Sequence, residues 1–103
     1  MTADTRPRFL LDMAEELAWL DDNAGTDVAE RWYDALLATI EFLCEHPYVG
    51  RERKHMRRTG IRSWRMRDFP RWLIFYGVTE EKDIVLYRVR SGTMNLVVMK
   101  MES

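Results

Sequence analysis

A chain of 103 residues that is 47% hydrophobic and 12% aromatic carries enough apolar material for one packed core, which excludes intrinsic disorder and leads to the expectation of a single domain over residues 1–103. Its one cysteine, Cys44, excludes an internal disulfide framework and a cysteine-based metal site. The formal net charge of −1 hides a segregation: residues 1–47 hold eleven acids and three bases, a balance of −8, whereas residues 48–103 hold six acids and thirteen bases, a balance of +7.

Local fields outlast a near-zero total, because screening acts over a Debye length of roughly 8 Å in physiological salt. The second half is therefore expected to attract anions. The N-terminal stretch MTADTRPRFLLDMAEE has acids within its first apolar turns and no signal-peptide core, and no apolar run reaches the length of a membrane span. A cytoplasmic location, without a membrane partner, is the expectation.

Pro7 suits the first turn of a helix, where its missing N–H costs nothing. From there Leu10, Ala14, Leu17, Ala18 and Trp19 recur at helical spacing, with Asp12, Glu15, Glu16 and Asp22 on what reads as the solvated side. A first helix to about Asp22 follows. After Asn23-Ala24-Gly25-Thr26, Asp27 with Glu30 three places on resembles a capping box. The second helix carries a wide stripe of Ala29, Trp32, Tyr33, Leu36, Leu37, Ile40, Leu43 and Cys44, and stops at His46-Pro47. The short connection makes the two helices an antiparallel hairpin.

Tyr48 to Thr59 is basic and without a period, and reads as a loop. Beyond Gly60 the pattern becomes that of strands: Ile61–Arg67, Arg71–Val78 and Ile84–Arg90, with Phe69-Pro70 and Glu80-Glu81-Lys82-Asp83 as the turns. Three antiparallel strands in meander order, under a helix hairpin, make an α+β fold. The run Trp72-Leu73-Ile74-Phe75-Tyr76 is apolar on both faces, as a middle strand covered on both sides would be. Thr93 to Met101 is ambiguous between strand and helix.

Arginine is the residue type that stands out among these strands. Alternation places Arg65 with Arg67 and Arg88 with Arg90, two-pronged cations suited to phosphates or carboxylates. Arg62 and Arg71 lie beside them. The alternative for each is pairing with the chain's own helical acids or a solvated face. His46 and His55 belong to no ligand spacing or triad order, and no phosphate-cradling glycine motif is present, so no catalytic residue, metal or cofactor is assigned. Trp64, Trp72, Tyr76 and Tyr87 accompany the arginines, yet a sheet under helices needs large apolar side chains, and core packing accounts for most of them.

The segments Pro47-Tyr48-Val49-Gly50, Gly60-Ile61-Arg62-Ser63-Trp64-Arg65, Phe69-Pro70-Arg71-Trp72-Leu73-Ile74-Phe75-Tyr76 and Arg88-Val89 with Gly92 resemble the RelE/ParE superfamily of toxins, and within it the ParE branch. The resemblance spans about residues 8–96. It implies a small α+β toxin of a type II toxin–antitoxin, or plasmid stabilisation, system. Such a toxin binds and inhibits DNA gyrase and is held in a hetero-oligomer by a cognate antitoxin of the ParD or RelB kind. Partner contacts are then expected from Arg62, Arg65, Arg67, Arg71, Arg88, Arg90, Met94 and Asn95. The RelE branch offers a different activity, ribosome-dependent cleavage of messenger RNA, with Arg65, Arg67, Arg88 or Arg90 stabilising charge and Lys54 or His55 assisting; a nontoxic antitoxin-binding remnant is the third reading. Ser91 stands where many relatives have His, and Met94-Asn95 where an Arg-Asp pair is usual, which disfavours the nuclease. The family opens with a strand, which here is expected to be short or absent.

Overall fold

The computed structural model of the chain describes residues 3–54 and 58–91. Strand β1 (Ala3–Thr5) leads into helix α1 (Pro7–Ala24) and helix α2 (Thr26–Glu45), followed by strands β2 (Arg51–Glu52), β3 (Arg62–Met66), β4 (Phe69–Val78) and β5 (Ile84–Ser91). The five strands form one sheet in the order β1-β5-β4-β3-β2. The opening strand is present but short. It runs parallel to β5, Ala3 facing Ile84 and Thr5 facing Leu86, so the sheet is mixed rather than antiparallel throughout.

Pro7 does start α1, and Arg6 supplies the carbonyl that accepts from the N–H groups of Phe9 and Leu10 at 3.0 and 3.2 Å. A single residue, Gly25, then ends one helix and begins the next. Its N–H donates to Leu20 O at 3.0 Å, its carbonyl accepts from Ala29 N at 3.1 Å, and its φ of +98° lies where a side chain would be strained. The expected capping box at Asp27 and Glu30 is not formed: α2 begins at Thr26 without a side-chain cap, and the Thr26 hydroxyl donates to Asp21 Oδ1 at 2.7 Å instead.

The hairpin lies on one face of the sheet. Phe9, Leu20, Trp32, Leu36 and Leu43 from the helices pack with Met66, Ile74, Tyr76, Leu86 and Val89 from the strands, each nearly fully buried. Side chains of this size stabilise by about 1.5–3 kcal/mol each on burial. The opposite face holds a second, smaller cluster of Ile61, Phe75 and Tyr87 with Leu73 and Val85 against it. That explains why the middle strand is apolar on both sides: residues just before β3 fold across the outer face, with the Arg58 guanidinium 4.8 Å from the Tyr87 ring centre.

Three local features depart from the sequence reading. The basic loop contains a rung of sheet, since Arg51 faces Ser63 and Glu52 faces Arg62. The turn between β3 and β4 is at Arg67-Asp68, where Asp68 takes φ +66°, and Phe69-Pro70 already belongs to β4. A register shift leaves Tyr87 as an extra residue, Leu86 facing Tyr76 and Arg88 facing Phe75. The expected turn before β5 is formed, with Thr79 N donating to Asp83 O at 2.9 Å.

Candidate functional site

Register decides which arginines share a surface. Directly opposed residues lie on one face of a sheet, so Ser63, Phe75 and Arg88 form one cross-strand row and Arg65, Leu73 and Arg90 form the next, both on the side away from the helices. Arg67 lies past the end of β3, in the turn, and does not extend the row with Arg65.

The arginines of the two rows meet different fates. Arg88 is 4% exposed, and its guanidinium grips the carboxylate of Asp12 through Nε at 2.6 Å and Nη2 at 3.0 Å. Arg90 reaches the same carboxylate at 3.2 Å and Glu15 at 3.7 Å. Asp12 also accepts from the backbone N–H of Val89 at 3.2 Å. One carboxylate of α1 thus holds two cations and closes the β5 edge beyond the three residues that β1 covers. The charge of Arg88, expected to face a partner, is used inside the molecule. Asp12, expected on a solvated helix face, is 2% exposed.

Arg62 is a staple. Its Nη1 donates to the carbonyls of Gly50 at 2.8 Å and Tyr48 at 3.2 Å, and the guanidinium lies 5.3 Å from the Tyr48 ring centre. The Tyr76 hydroxyl, from the residue directly opposite Arg62, donates to Pro47 O and accepts from Gly50 N, both at 2.8 Å. Burial pushes the Tyr76 phenol up from its ordinary value, against the opposing effects of the Gly50 N–H and the Arg62 charge. Gly50 is required here, since a Cβ would run into the Tyr76 hydroxyl and ring. Together these bonds fix the Pro47-Tyr48-Val49-Gly50 segment, with Tyr48 and Val49 exposed at 54% and 38%.

Beside that segment opens a groove of about 420 Å³, lined by Val49, Arg51, Arg53, Ser63, Trp64, Arg65 and Leu73. Among the described residues no carboxylate lines it. Arg53 donates through Nε to the buried Ser63 hydroxyl at 2.6 Å, and burial together with the neighbouring Arg51 charge pushes its guanidinium down from the ordinary value. Among the described residues, Arg51, Arg53 and Arg65 form no ion pair. Arg67 and Arg71 are likewise exposed and unpaired. Arg67 borders a different hollow that holds Asp34 and Asp68 of its own, so its charge is balanced locally.

Of the residues expected to contact a partner, the structure therefore keeps Arg65, Arg67 and Arg71 at the surface, leaves Arg90 partly accessible, and commits Arg62 and Arg88 to internal bonds; Met94 and Asn95, like His55, lie outside the described residues. Sequence reasoning passed over Arg51 and Arg53 as site residues. Their spacing of two, which sends both side chains to one side of an extended segment, was the available signal. Among the described residues no group of three or more His, Cys, Asp or Glu side chains is arranged to hold a metal ion, and no helix is long and apolar enough to cross a membrane.

Comparison with known proteins places this arrangement. No curated protein sequence matches the chain. The fold is similar to that of a solved structure described as the chromosomal ParDE TA system from P. aeruginosa, with a TM-score of 0.72 at 14% identity over 88% of this chain and 95% of the other. The family model for the ParE toxin of the type II toxin–antitoxin system parDE matches residues 4–96. The short parallel β1, the helix hairpin and the three-stranded meander are thus the frame of a ParE-like toxin, and the chain belongs to the ParE toxin family of type II toxin–antitoxin systems.

Proposed function

We propose that the chain acts in the cytoplasm by binding and inhibiting DNA gyrase, and that a cognate ParD-like antitoxin neutralises it by covering its cationic face in a toxin–antitoxin hetero-oligomer. Plasmid or chromosome-segment stabilisation is the biological consequence of such a pair. The observation that carries this reading is the margin of Arg51, Arg53 and Arg65, which form no ion pair among the described residues and line one groove with Val49, beside the exposed Tyr48. Such a surface suits an acidic macromolecular partner, for which complementary charge sets specificity and association rate.

Binding fits better than strand cleavage. Two arginines that would stabilise a phosphorane-like charge, Arg88 and Arg90, already share Asp12, and groups so engaged are less available to a transition state. Induction of the chain without its antitoxin tests the reading. The expected result is filamentation with DNA-damage signalling, relieved by co-expression of the neighbouring antitoxin gene. Rapid translation arrest with cleaved transcripts, or unimpaired growth, would overturn it.

A further inference from the structure

Ser63 lies at the centre of a group of three arginines. Arg51 faces it across the β2–β3 ladder, Arg53 donates to its hydroxyl through Nε at 2.6 Å, and Arg65 follows two residues further along β3 on the same face. The acid of β2 is turned away, since Glu52 faces Arg62 and alternates to the other side of the sheet. Among the described residues no ion pair relieves the three cations. Burial, and after it the Arg51 charge, push the Arg53 guanidinium down from its ordinary value, and like charges crowded in this way are relieved by an anion placed among them.

The rings around the group are already engaged. Phe75 and Tyr87, on the face away from the helices, are buried, the Trp64 indole is stacked on Phe42 at 5.8 Å, and the Tyr48 ring carries the Arg62 guanidinium at 5.3 Å. Resting on the proposed gyrase reading, we infer that Arg51, Arg53 and Arg65 bind neighbouring phosphates of a duplex DNA backbone, so that the chain engages the DNA its target enzyme holds as well as the enzyme. Guanidinium forks match phosphate oxygens in pairs. A duplex fits better than a single strand, because sequence-tolerant binding of single strands stacks their bases on free aromatic faces. It fits better than an acidic protein surface, because such interfaces are anchored by large apolar or aromatic side chains at their centre, where this group has the buried Ser63 hydroxyl. Contacts of this kind read charge and leave base sequence unread.

The test titrates the full chain into a fluorescein-labelled duplex of about twenty base pairs and follows anisotropy from about 50 to about 200 mM salt. Three phosphate contacts at about −0.9 each give a slope of about −2.7 in log affinity against log salt, a loss of roughly 40-fold over that range. Arg51→Ala and Arg65→Ala, both at exposed positions, should each flatten the slope by about 0.9. Arg65→Lys should restore it, and Arg31→Ala, at an exposed position of α2, should leave it unchanged. Duplexes rich in A·T and in G·C should bind alike. Circular dichroism melts separate lost contact from lost fold, and the lysine variant serves where alanine unfolds the edge. Absence of duplex binding at about 50 mM salt, a slope unchanged in both alanine variants, or tighter binding of a single strand or of a polyglutamate chain of equal charge would overturn the inference. Inhibition of gyrase supercoiling by the unaltered chain is measured alongside: inhibition without duplex binding retires the DNA site and leaves the gyrase reading standing, and duplex binding without inhibition does the reverse.

Discussion

Removing the carboxylate of Asp12 should be among the most damaging single changes in the protein. Asp12→Ala leaves the guanidinium of Arg88, 4% exposed, without its bidentate partner, strips Arg90 of its closer contact, and orphans the Val89 N–H at the β5 edge. Breaking a buried ion pair from one side costs about 3–5 kcal/mol. A domain of this size has about 5–15 kcal/mol in total, and each kcal/mol corresponds to about 4–8 °C in Tm, so a fall of roughly 12–40 °C is expected in a thermal melt followed by circular dichroism. The double variant Asp12→Ala/Arg88→Met sharpens the test. Replacing both charges by apolar groups of similar volume is often neutral, and Arg90 retains Glu15, so the second substitution should recover most of the loss. A fall of less than about 5 °C in the single variant, or a double variant no more stable than the single, would refute the assignment of Asp12 as the internal counter-ion.

Two further predictions concern the rim of the groove. Tyr76→Phe should cost about 1–3 kcal/mol in urea unfolding, because Gly50 N and Pro47 O both lose their partner. It should also remove a pH dependence. With the folded-state pKa raised by burial, the contribution of the phenol is fully present below about pH 10, the ordinary tyrosine value, and is lost as pH climbs from there through the higher folded value. The phenylalanine variant should lack this alkaline decline, and an unchanged pH profile would count against the burial argument. Gly50→Ala should destabilise by about 1–3 kcal/mol in the same assay, since the added methyl meets a ring held by two hydrogen bonds, and a neutral result would show that the segment shifts freely.

Helix α1 shows why the fold was more legible than the site. Its length, its proline start and its pairing with α2 follow from periodicity and turn chemistry, but its buried face does not. Counting apolar residues selects Leu10, Ala14, Leu17 and Ala18, whereas the helix buries Phe9, Asp12 and Leu20, with Met13, Glu16 and Leu17 half covered, and leaves Leu10 48% and Trp19 57% exposed. The two faces differ by about one residue, or 100°. Two carboxylates make the true stripe look polar, and each is there because a partner far along the chain satisfies it: Arg88 and Arg90 for Asp12, and the Trp72 indole, donating at 2.9 Å, for Glu16. A hydropathy pattern treats a paired acid and a solvated acid alike.

The same limit applies to the cationic face. The excess of +7 over residues 48–103 announced an anion-seeking surface, and the segregation of charge between helices and strands is what places Asp12 within reach of β5. That reach divides the arginines. Arg88 and Arg90, on the strand beside α1, are drawn inward to its carboxylates, whereas Arg51, Arg53 and Arg65, at the far edge, form no ion pair among the described residues. The bulge at Tyr87 and a two-residue strand, Arg51–Glu52, contribute to the division, and neither carries a sequence signature strong enough to register against the surrounding basic run. The polarity of the sheet, with a neutralised edge at β5 and an unneutralised one at β2 and β3, is therefore a tertiary property: it follows from which edge the helix hairpin leans against.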